Sequence, residues 1–339
     1  MRRFALPLVA SLAVVTGAAG NAQADDACAF FKNKTVELIV PFSPGGGFDV
    51  YGRMVAKFMG GELGAANMIV RNQPGAGGLL GTNQTWKAKP DGLRIQLMSA
   101  SGMVTSELGG ADGVEFKSGE FSWIGRVSGE PDVIATSPGS PVKTVEDLKK
   151  LGTERKVRIG SSGVGDIDYI EASLLTKVLE LNADVITGFS GAPEVYASLG
   201  RGELDLFSSS LSAAQVAEKA GTARILWAYG TGDIPGEMNV KSLSDVVDAK
   251  HAPMVKAQSD VVAAGRSLAG PPKIPEDRLK CLRDAFDRTM ASAPLLEESK
   301  KLNRPVAPLS GQQIAGLIRG VTEGAPKDYL ELLRKSYGK

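Results

Sequence analysis

The stretch TVELIVPFSPGGGFDVYGRMVAKF, residues 35–58, decides the fold. It opens on a short apolar run rich in β-branched residues, which predicts a buried strand. A glycine-rich turn follows at residues 42–49, and Val50, Met54 and Phe58 then recur at the spacing of one helix face. A strand, a glycine-rich loop and a helix in this order are typical of a βαβ unit.

The same order recurs along the rest of the chain. Glycine- or serine-rich loops and helices follow further strands, which are predicted at residues 68–70, 94–98, 133–136, 157–160, 185–188, 204–207 and 223–229. Thr144 and Asp147 have the spacing of a capping box, which predicts the start of a short helix. We therefore expect an α/β fold with two halves, each a mostly parallel, doubly wound sheet flanked by helices.

The loops between strands and helices form the candidate binding site, because ligands of doubly wound sheets sit outside the carboxyl ends of the strands. Glycine lets the backbone approach a ligand, and helix N-termini offer unpaired N–H groups and partial positive charge. These loops therefore predict an anion pocket that needs no Arg or Lys; the alternative is plain tight turns. The predicted ligand-binding residues of the first half are Phe42, Ser43, Gly45, Gly46, Gly47, Phe48, Asp49, Pro74, Gly75, Ala76, Gly77 and Gly78. Those of the second half are Ser161, Ser162, Ser190, Ser208 and Ser209.

Some first-half residues carry more specific expectations. Asp49 suits the first turn of its helix better than a catalytic role, and Arg53, one turn later, is predicted to be a structural ion-pair partner. Valine at Gly46 or Gly77 is expected to remove ligand binding with little effect on the fold, because a branched side chain would stand where backbone must approach the ligand.

Residues 1–24 have the composition of an export signal. Arg2 and Arg3 precede an apolar run that is short for a membrane span, and a small-x-small cleavage pattern ends at Ala24. We therefore expect a soluble periplasmic protein whose signal peptide is cleaved after Ala24. The alternative is a buried N-terminal helix.

Composition excludes several kinds of partner. The 339 residues include 39 basic and 38 acidic ones, so no basic surplus favours nucleic acid. The single histidine, His251, leaves too few ligands for a zinc site, so no metal is predicted. No cofactor is predicted either, because the glycine pattern at residues 75–81 has Leu80 where a dinucleotide fingerprint requires its third glycine.

Cys28 and Cys281 are the two cysteines of the chain. Exported proteins meet oxidising conditions, so we expect the pair to form a disulfide; the alternative is two buried thiols.

Enzymatic chemistry is not predicted. The serines at the strand ends would need a base, and the only histidine belongs to no G-x-S-x-G elbow. We therefore expect a binding protein rather than an enzyme. The rival hypothesis is a secreted hydrolase or isomerase on the same sheet architecture.

Residues 39–92 combine several short motifs, which are Pro41-Phe42, Gly45-Gly46, Asp49, Gly52-Arg53, the run NQPGAGG at residues 72–78 and Pro90-Asp91-Gly92. In this combination the segment resembles the substrate-binding proteins of tripartite tricarboxylate transporters, the Bug proteins. The run IGSSG at residues 159–163 is similar to the family's second-lobe loop.

The resemblance implies a two-lobed periplasmic binding protein fold, type II-like, hinged by crossover strands. Lobe one would take residues 25–127 and 229–339, and lobe two would take residues 128–228. Family ligands are mostly small carboxylates held by backbone N–H groups and ordered waters, and the partners are the membrane subunits of the transporter. We expect a monomer; a ligand sensor for a signalling partner stays open as an alternative.

The chain departs from the family pattern at Phe48, Asp166 and the loop Phe189-Ser190-Gly191. These residues fall on the expected rim of the cleft. Gly163, Asp166 and Phe189 complete the predicted ligand-binding set, and the identity of the carboxylate stays open.

Overall fold

The computed structural model describes residues 28–230 and 240–339. The predicted signal and its cleavage site after Ala24 lie outside these residues. The strands are β1 (Thr35–Val40), β2 (Asn67–Asn72), β3 (Arg94–Ser99), β4 (Ser122–Ser128), β5 (Asp132–Thr136), β6 (Val157–Gly160), β7 (Ala183–Ile186), β8 (Leu206–Ser210), β9 (Arg224–Ala228), β10 (Lys241–Ser242), β11 (Arg266–Gly270) and β12 (Leu309–Ser310). The α-helices are α1 (Gly47–Glu62), α2 (Leu79–Trp86), α3 (Ala100–Gly109), α4 (Val145–Glu154), α5 (Ile167–Val178), α6 (Ala192–Gly200), α7 (Leu211–Lys219), α8 (Ala252–Ala263), α9 (Glu276–Ala291), α10 (Ala293–Lys301), α11 (Gly311–Gly324) and α12 (Lys327–Ser336).

The strands form two six-stranded sheets with matching designs. The first has the order β12-β4-β11-β3-β1-β2 and the second the order β10-β9-β5-β8-β6-β7. Each contains a parallel trio, β1 to β3 or β6 to β8, next to one antiparallel strand, β11 or β5. The predicted α/β fold is confirmed. Both sheets are mixed, because each antiparallel strand is the one by which the chain enters from the other sheet.

The chain crosses between the sheets twice. It leaves the first sheet after Ser128 and enters the second at Asp132, then returns along α8 and re-enters the first at Arg266. Strand β10 pairs with β9, so residues 241–242 belong to the second sheet although we had expected them in lobe one. We therefore propose that lobe two ends at Ala264 rather than at residue 228.

Local sequence signals account for individual elements. Helix α4 begins at the predicted capping box, where the Asp147 N–H donates to Thr144 Oγ1 at 3.2 Å and the Thr144 N–H donates to Asp147 Oδ2 at 3.0 Å. The predicted disulfide between Cys28 and Cys281 is confirmed, with Cα atoms 5.6 Å apart. It ties the start of the described chain to helix α9.

The two lobes share part of their hydrophobic core. One cluster of buried side chains runs from Trp123 in the first sheet to Ile134 in the second, and it includes Val255 of α8 and Tyr329 of α12. Helix α12 packs against α3 of lobe one and also against α5 of lobe two. The C-terminal helix α12 therefore bridges the two lobes.

Candidate functional site

A cavity of about 730 Å³ lies between the two lobes. Its walls come from both sheets, largely from residues at or just beyond the carboxyl ends of β1, β3, β6 and β8, where doubly wound sheets place their ligands. The volume suits a small organic ligand. Of the predicted site residues, those that line the cavity are Phe42, Phe48, Ala76, Gly77, Ser162, Asp166, Ser190, Ser208 and Ser209. Those that do not are Ser43, Gly45, Gly46, Gly47, Asp49, Pro74, Gly75, Gly78, Ser161, Gly163 and Phe189.

Two aromatic rings form the apolar part of the lobe-one wall. Phe42 follows β1 and Phe48 lies in the first turn of α1, and their ring centroids are 4.4 Å apart. The glycine-rich turn between them brings the two rings together across the loop. It is therefore the rings, more than the glycines, that this loop presents to the cavity.

Asp49 lies behind this wall and holds the loop in place. Its carboxylate accepts hydrogen bonds of 2.9 Å from the Gly45 N–H, from Arg53 Nε and from Asn72 Nδ2. The bond from Arg53 is the largest effect that lowers the pKa of Asp49 to about 2, against the opposing effect of burial. Arg53 is the ion-pair partner that the sequence predicted. Asp49 is thus a positioning residue whose acceptors are already used within the protein.

The second glycine-rich loop has an unusual backbone. Gly75, Ala76, Gly77 and Gly78 have consecutive positive φ values of 145°, 47°, 62° and 97°. The Gly78 N–H donates to the Gly75 carbonyl at 3.0 Å, which closes the turn. Ala76 and Gly77 reach the cavity, so this left-handed run sets the shape of the wall there.

Replacing Gly77 with valine is expected to weaken ligand binding. A β-branched residue at φ +62° costs about 1–2 kcal/mol, and relief of that strain moves the loop out of the wall. We expect the Kd to rise about tenfold or more, which corresponds to ~1.4 kcal/mol of lost contact. Calorimetric titration and urea unfolding would measure the two effects.

Gly46→Val is the matched control for this prediction. The sequence alone had suggested that both glycines approach the ligand. In the structure Gly46 has φ −74°, lies outside the cavity lining and leaves 3.6 Å between an added Cβ and the nearest atom, the Ser43 carbonyl oxygen. We now expect Gly46→Val to bind normally. Equal losses in both variants would contradict the assigned wall.

In lobe two, as in lobe one, an aspartate in the first turn of a helix accepts hydrogen bonds from the loop that precedes the helix. Asp168 lies in the first turn of α5 and accepts hydrogen bonds from Ser161 Oγ at 3.0 Å and from the Ser162 N–H at 2.9 Å. A further bond of 2.7 Å comes from Ser162 Oγ. Sequence reasoning missed Asp168. Its position two residues after Asp166, at the start of a helix that follows a glycine-rich loop, is the signal that could have found it.

The other lobe-two serines contact different partners within the protein. The Ser190 N–H and Oγ both donate to Glu194 Oε2, and Ser209 Oγ lies 2.6 Å from Tyr196 Oη. Ser208 is 1% exposed, and its side chain interacts with that of Tyr229. All three hydroxyls are therefore engaged within the protein.

Several lining residues were missed because distant parts of the chain supply them. The start of α3 contributes Ser101 and Gly102, and the segment after α12 contributes Tyr337. Tyr337 Oη lies 3.3 Å from both Thr105 Oγ1 and Ser106 Oγ. Nothing in the local sequence marks these residues as members of the site.

Charged residues at the two crossings were also missed. Glu130 lies in the first crossing, Asp132 opens β5 and Arg266 opens β11, and all three line the cavity. The run Arg266–Gly270 contains no β-branched residue, so it gives no strand signal of its own. The Arg266 guanidinium carbon lies 5.1 Å from the ring centroids of both Phe48 and Tyr51.

Asp132 is paired with Glu171 behind the cavity wall. The two carboxyl groups interact electrostatically, and Gln258 Nε2 donates to Glu171 Oε1 at 3.1 Å. Burial raises the pKa of Glu171 well above its usual range and that of Asp132 to about 6. The pair therefore binds a proton more readily than two exposed carboxylates would.

Residues 28–230 and 240–339, which the structure describes, contain no group of three or more His, Cys, Asp or Glu side chains arranged to hold a metal ion. No helix within the same ranges has the length and apolar character needed to cross a membrane.

Two α/β lobes that enclose a cavity at a double crossing are the architecture of a solute-binding protein. The chain belongs to the tripartite tricarboxylate transporter family receptors, whose sequence model matches residues 52–323. Receptors of this family work with the membrane subunits of tripartite transporters, and membership implies export to the periplasm.

Several known proteins are similar to this chain in sequence or in structure. A UPF0065 protein of Bordetella pertussis is 25% identical over 292 residues, which are 86% of this chain and 85% of that protein. The structure of a TctC solute-binding protein from Polaromonas has a TM-score of 0.73 and 24% identity, covering 89% of this chain and 98% of that one. MatC of Rhodopseudomonas palustris, solved with bound malate, has a TM-score of 0.64 and 18% identity, covering 88% of this chain and 99% of that one. These structures share the two-lobed fold.

Proposed function

We propose that the protein is an extracytoplasmic receptor that captures a small carboxylate between its lobes and delivers it to the membrane subunits of a tripartite transporter. The observation that carries the proposal is the cavity, to which both lobes contribute walls. A ligand held there touches both lobes, so it favours the closed form over the open one. The malate bound in MatC supports a carboxylate as the ligand class.

A thermal-shift screen of the mature protein against mono-, di- and tricarboxylates tests this function. At a ligand concentration of about 100 Kd the folded state gains about 2.7 kcal/mol, which raises the melting temperature measurably. Primary amides of the same acids are the matched controls. A shift by the amides equal to that by the acids, or no shift by any acid, would contradict carboxylate capture.

We also propose that the ligand is released unchanged, as expected of a receptor. The family assignment supports binding without chemistry. Proton NMR of a bound carboxylate should show the same compound after prolonged incubation. A converted product would favour the alternative of a secreted enzyme.

The mature form is proposed to be a periplasmic monomer that begins at Asp25. The export pattern of residues 1–24 and the family support this assignment. Intact mass and light scattering of periplasmic material would measure the start of the chain and the oligomeric state. Retention of residues 1–24 in a membrane fraction would contradict cleavage.

A further inference from the structure

The ring of Tyr337 lies between the two lobes, in the segment that follows α12. An added Cβ on Gly109, the last residue of α3 in lobe one, would lie 2.2 Å from Cδ2 of this ring. An added Cβ on Gly165, in the lobe-two loop before α5, would lie 2.9 Å from its Cε1. Opposite edges of one ring therefore rest on glycines of different lobes.

Hydrogen bonds and an ion pair attach this segment to lobe one. Tyr337 Oη lies 3.3 Å from Thr105 Oγ1 and from Ser106 Oγ, which both belong to α3. Two residues further on, Lys339 Nζ lies 2.7 Å from Asp112 Oδ1, close to the end of α3. The lobe-one side of Tyr337 is therefore held by polar contacts as well as by packing.

The ring meets lobe two at Gly165, which contributes no side chain, so this contact is one of packing against the loop backbone. Tyr337 lines the cavity from one lobe, and Gly165 and Asp166 line it from the other, so the contact forms part of the cavity wall. Rotation of the lobes away from each other would separate the ring from Gly165 before it broke the polar contacts to α3. The contact between ring and glycine therefore belongs to the arrangement in which the cavity is enclosed.

We propose that Tyr337 is a positioning residue that stabilises the closed arrangement of the two lobes through the packing of its ring against Gly165. This inference rests on the proposed receptor function and adds to it a residue that sets how long a bound solute is held. The apparent Kd of a receptor rises as its binding-competent fraction falls. Loss of the ring therefore weakens binding, and most of the change appears in the rate of release.

Small-angle X-ray scattering tests the proposal on the protein without ligand. We expect Tyr337→Ala to have a larger radius of gyration than the unmodified protein, because the open form is favoured once the ring is absent. Tyr337→Phe keeps the ring between the two glycines and should match the unmodified protein. Equal radii for the unmodified protein and Tyr337→Ala would overturn the proposal, and so would a failure of phenylalanine to restore the unmodified radius.

Gly165→Ala tests the same contact from the other lobe. Gly165 has φ +87°, and an added methyl group would stand 2.9 Å from the ring, so the loop must move away from Tyr337. Gly202→Ala is the matched control, since Gly202 also lies in lobe two, with φ +75°, but has no atom within 4 Å of an added Cβ. We expect a larger radius of gyration in Gly165→Ala and an unchanged one in Gly202→Ala. Equal increases in both would assign the opening to backbone strain and overturn the role of the ring.

Calorimetric titration measures the effect on binding, with malate, citrate, adipate and glutamate as probes. For the acid that binds most tightly, Tyr337→Ala should raise the Kd at least about tenfold and Tyr337→Phe less than about twofold. The combined variant Gly165→Ala, Tyr337→Ala should bind no more weakly than Tyr337→Ala, because the methyl group no longer meets a ring. Additive losses would overturn the shared contact. Binding of none of these acids by the unmodified protein would contradict the receptor function, whereas the radius of gyration would still decide the role of Tyr337.

Melting curves of each variant without ligand guard against a folding artefact. If Tyr337→Ala does not fold, the comparison of Gly165→Ala with Gly202→Ala decides the question. An unchanged radius of gyration in folded Gly165→Ala would then overturn the proposal.

Discussion

Gly265→Ala is expected to abolish measurable ligand binding and to destabilise the protein by about 2–5 kcal/mol, the sum of backbone strain and overpacking. Gly265 has φ +49° and stands where the returning chain meets the outgoing one. A Cβ there would lie 2.2 Å from the Ser128 carbonyl oxygen and 2.8 Å from Gly129 Cα. Both obstacles are backbone atoms, so the two crossings must move apart, and Arg266 moves with them.

Gly64→Ala is the matched control for this effect. Gly64 has φ +69° and no atom within 4 Å of an added Cβ, so alanine there brings the backbone strain without the collision. We expect a loss of about 1–2 kcal/mol in urea unfolding and unchanged affinity in calorimetry. Normal binding by Gly265→Ala would show that the crossings tolerate separation, contrary to the packing described above.

Removal of the disulfide should have the largest effect on stability. The double variant Cys28→Ser, Cys281→Ser is expected to unfold with about 4–5 kcal/mol less free energy, because the bridge closes a very long loop in the unfolded chain. Phe31, three residues after Cys28, is fully buried in the same lobe-one core as Cys281. Release of the bridge therefore also frees the segment that places this ring. Urea unfolding of oxidised and variant protein would measure the difference.

Ligand affinity serves as the internal check on the disulfide prediction. Neither cysteine lines the cavity, so the folded double variant should bind with unchanged Kd at low temperature. Unmodified protein treated with reductant should melt at the same temperature as the double variant. Identical melting of oxidised and reduced protein would contradict a stabilising bridge.

The sequence was most informative where structure depends on neighbouring residues. The strand and turn before Asp49, the capping box at Thr144 and the cysteine pair were all predictable, because local propensity or compartment decides them. The glycine-rich loops were also correctly placed at strand ends. Which of their atoms face the cavity was not predictable, since Asp49 uses its carboxylate to hold Gly45 and turns that part of the loop away.

The remainder depends on contacts between residues far apart in the chain. Arg266 reaches the cavity only because β11 inserts between β3 and β4, and its own segment carries no strand pattern. Tyr337 arrives from the far end of the sequence and packs so closely that a Cβ on Gly109 would lie 2.2 Å from its ring and one on Gly165 would lie 2.9 Å away. Such positions follow from tertiary packing, which a single sequence does not display.

The two crossings lie side by side at one end of strands β4 and β11. Ser128 and Arg266 are directly paired residues of the antiparallel strands β4 and β11. Joined to each other, Gly129 and Gly265 would make a two-residue Gly-Gly loop, a connection that antiparallel hairpins favour. In topological terms the whole of lobe two is an insertion at the tip of a hairpin. A spliced chain in which Gly129 runs directly into Gly265 would retain all six strands of the first sheet, and the same tip offers a point for grafting a different ligand-binding half.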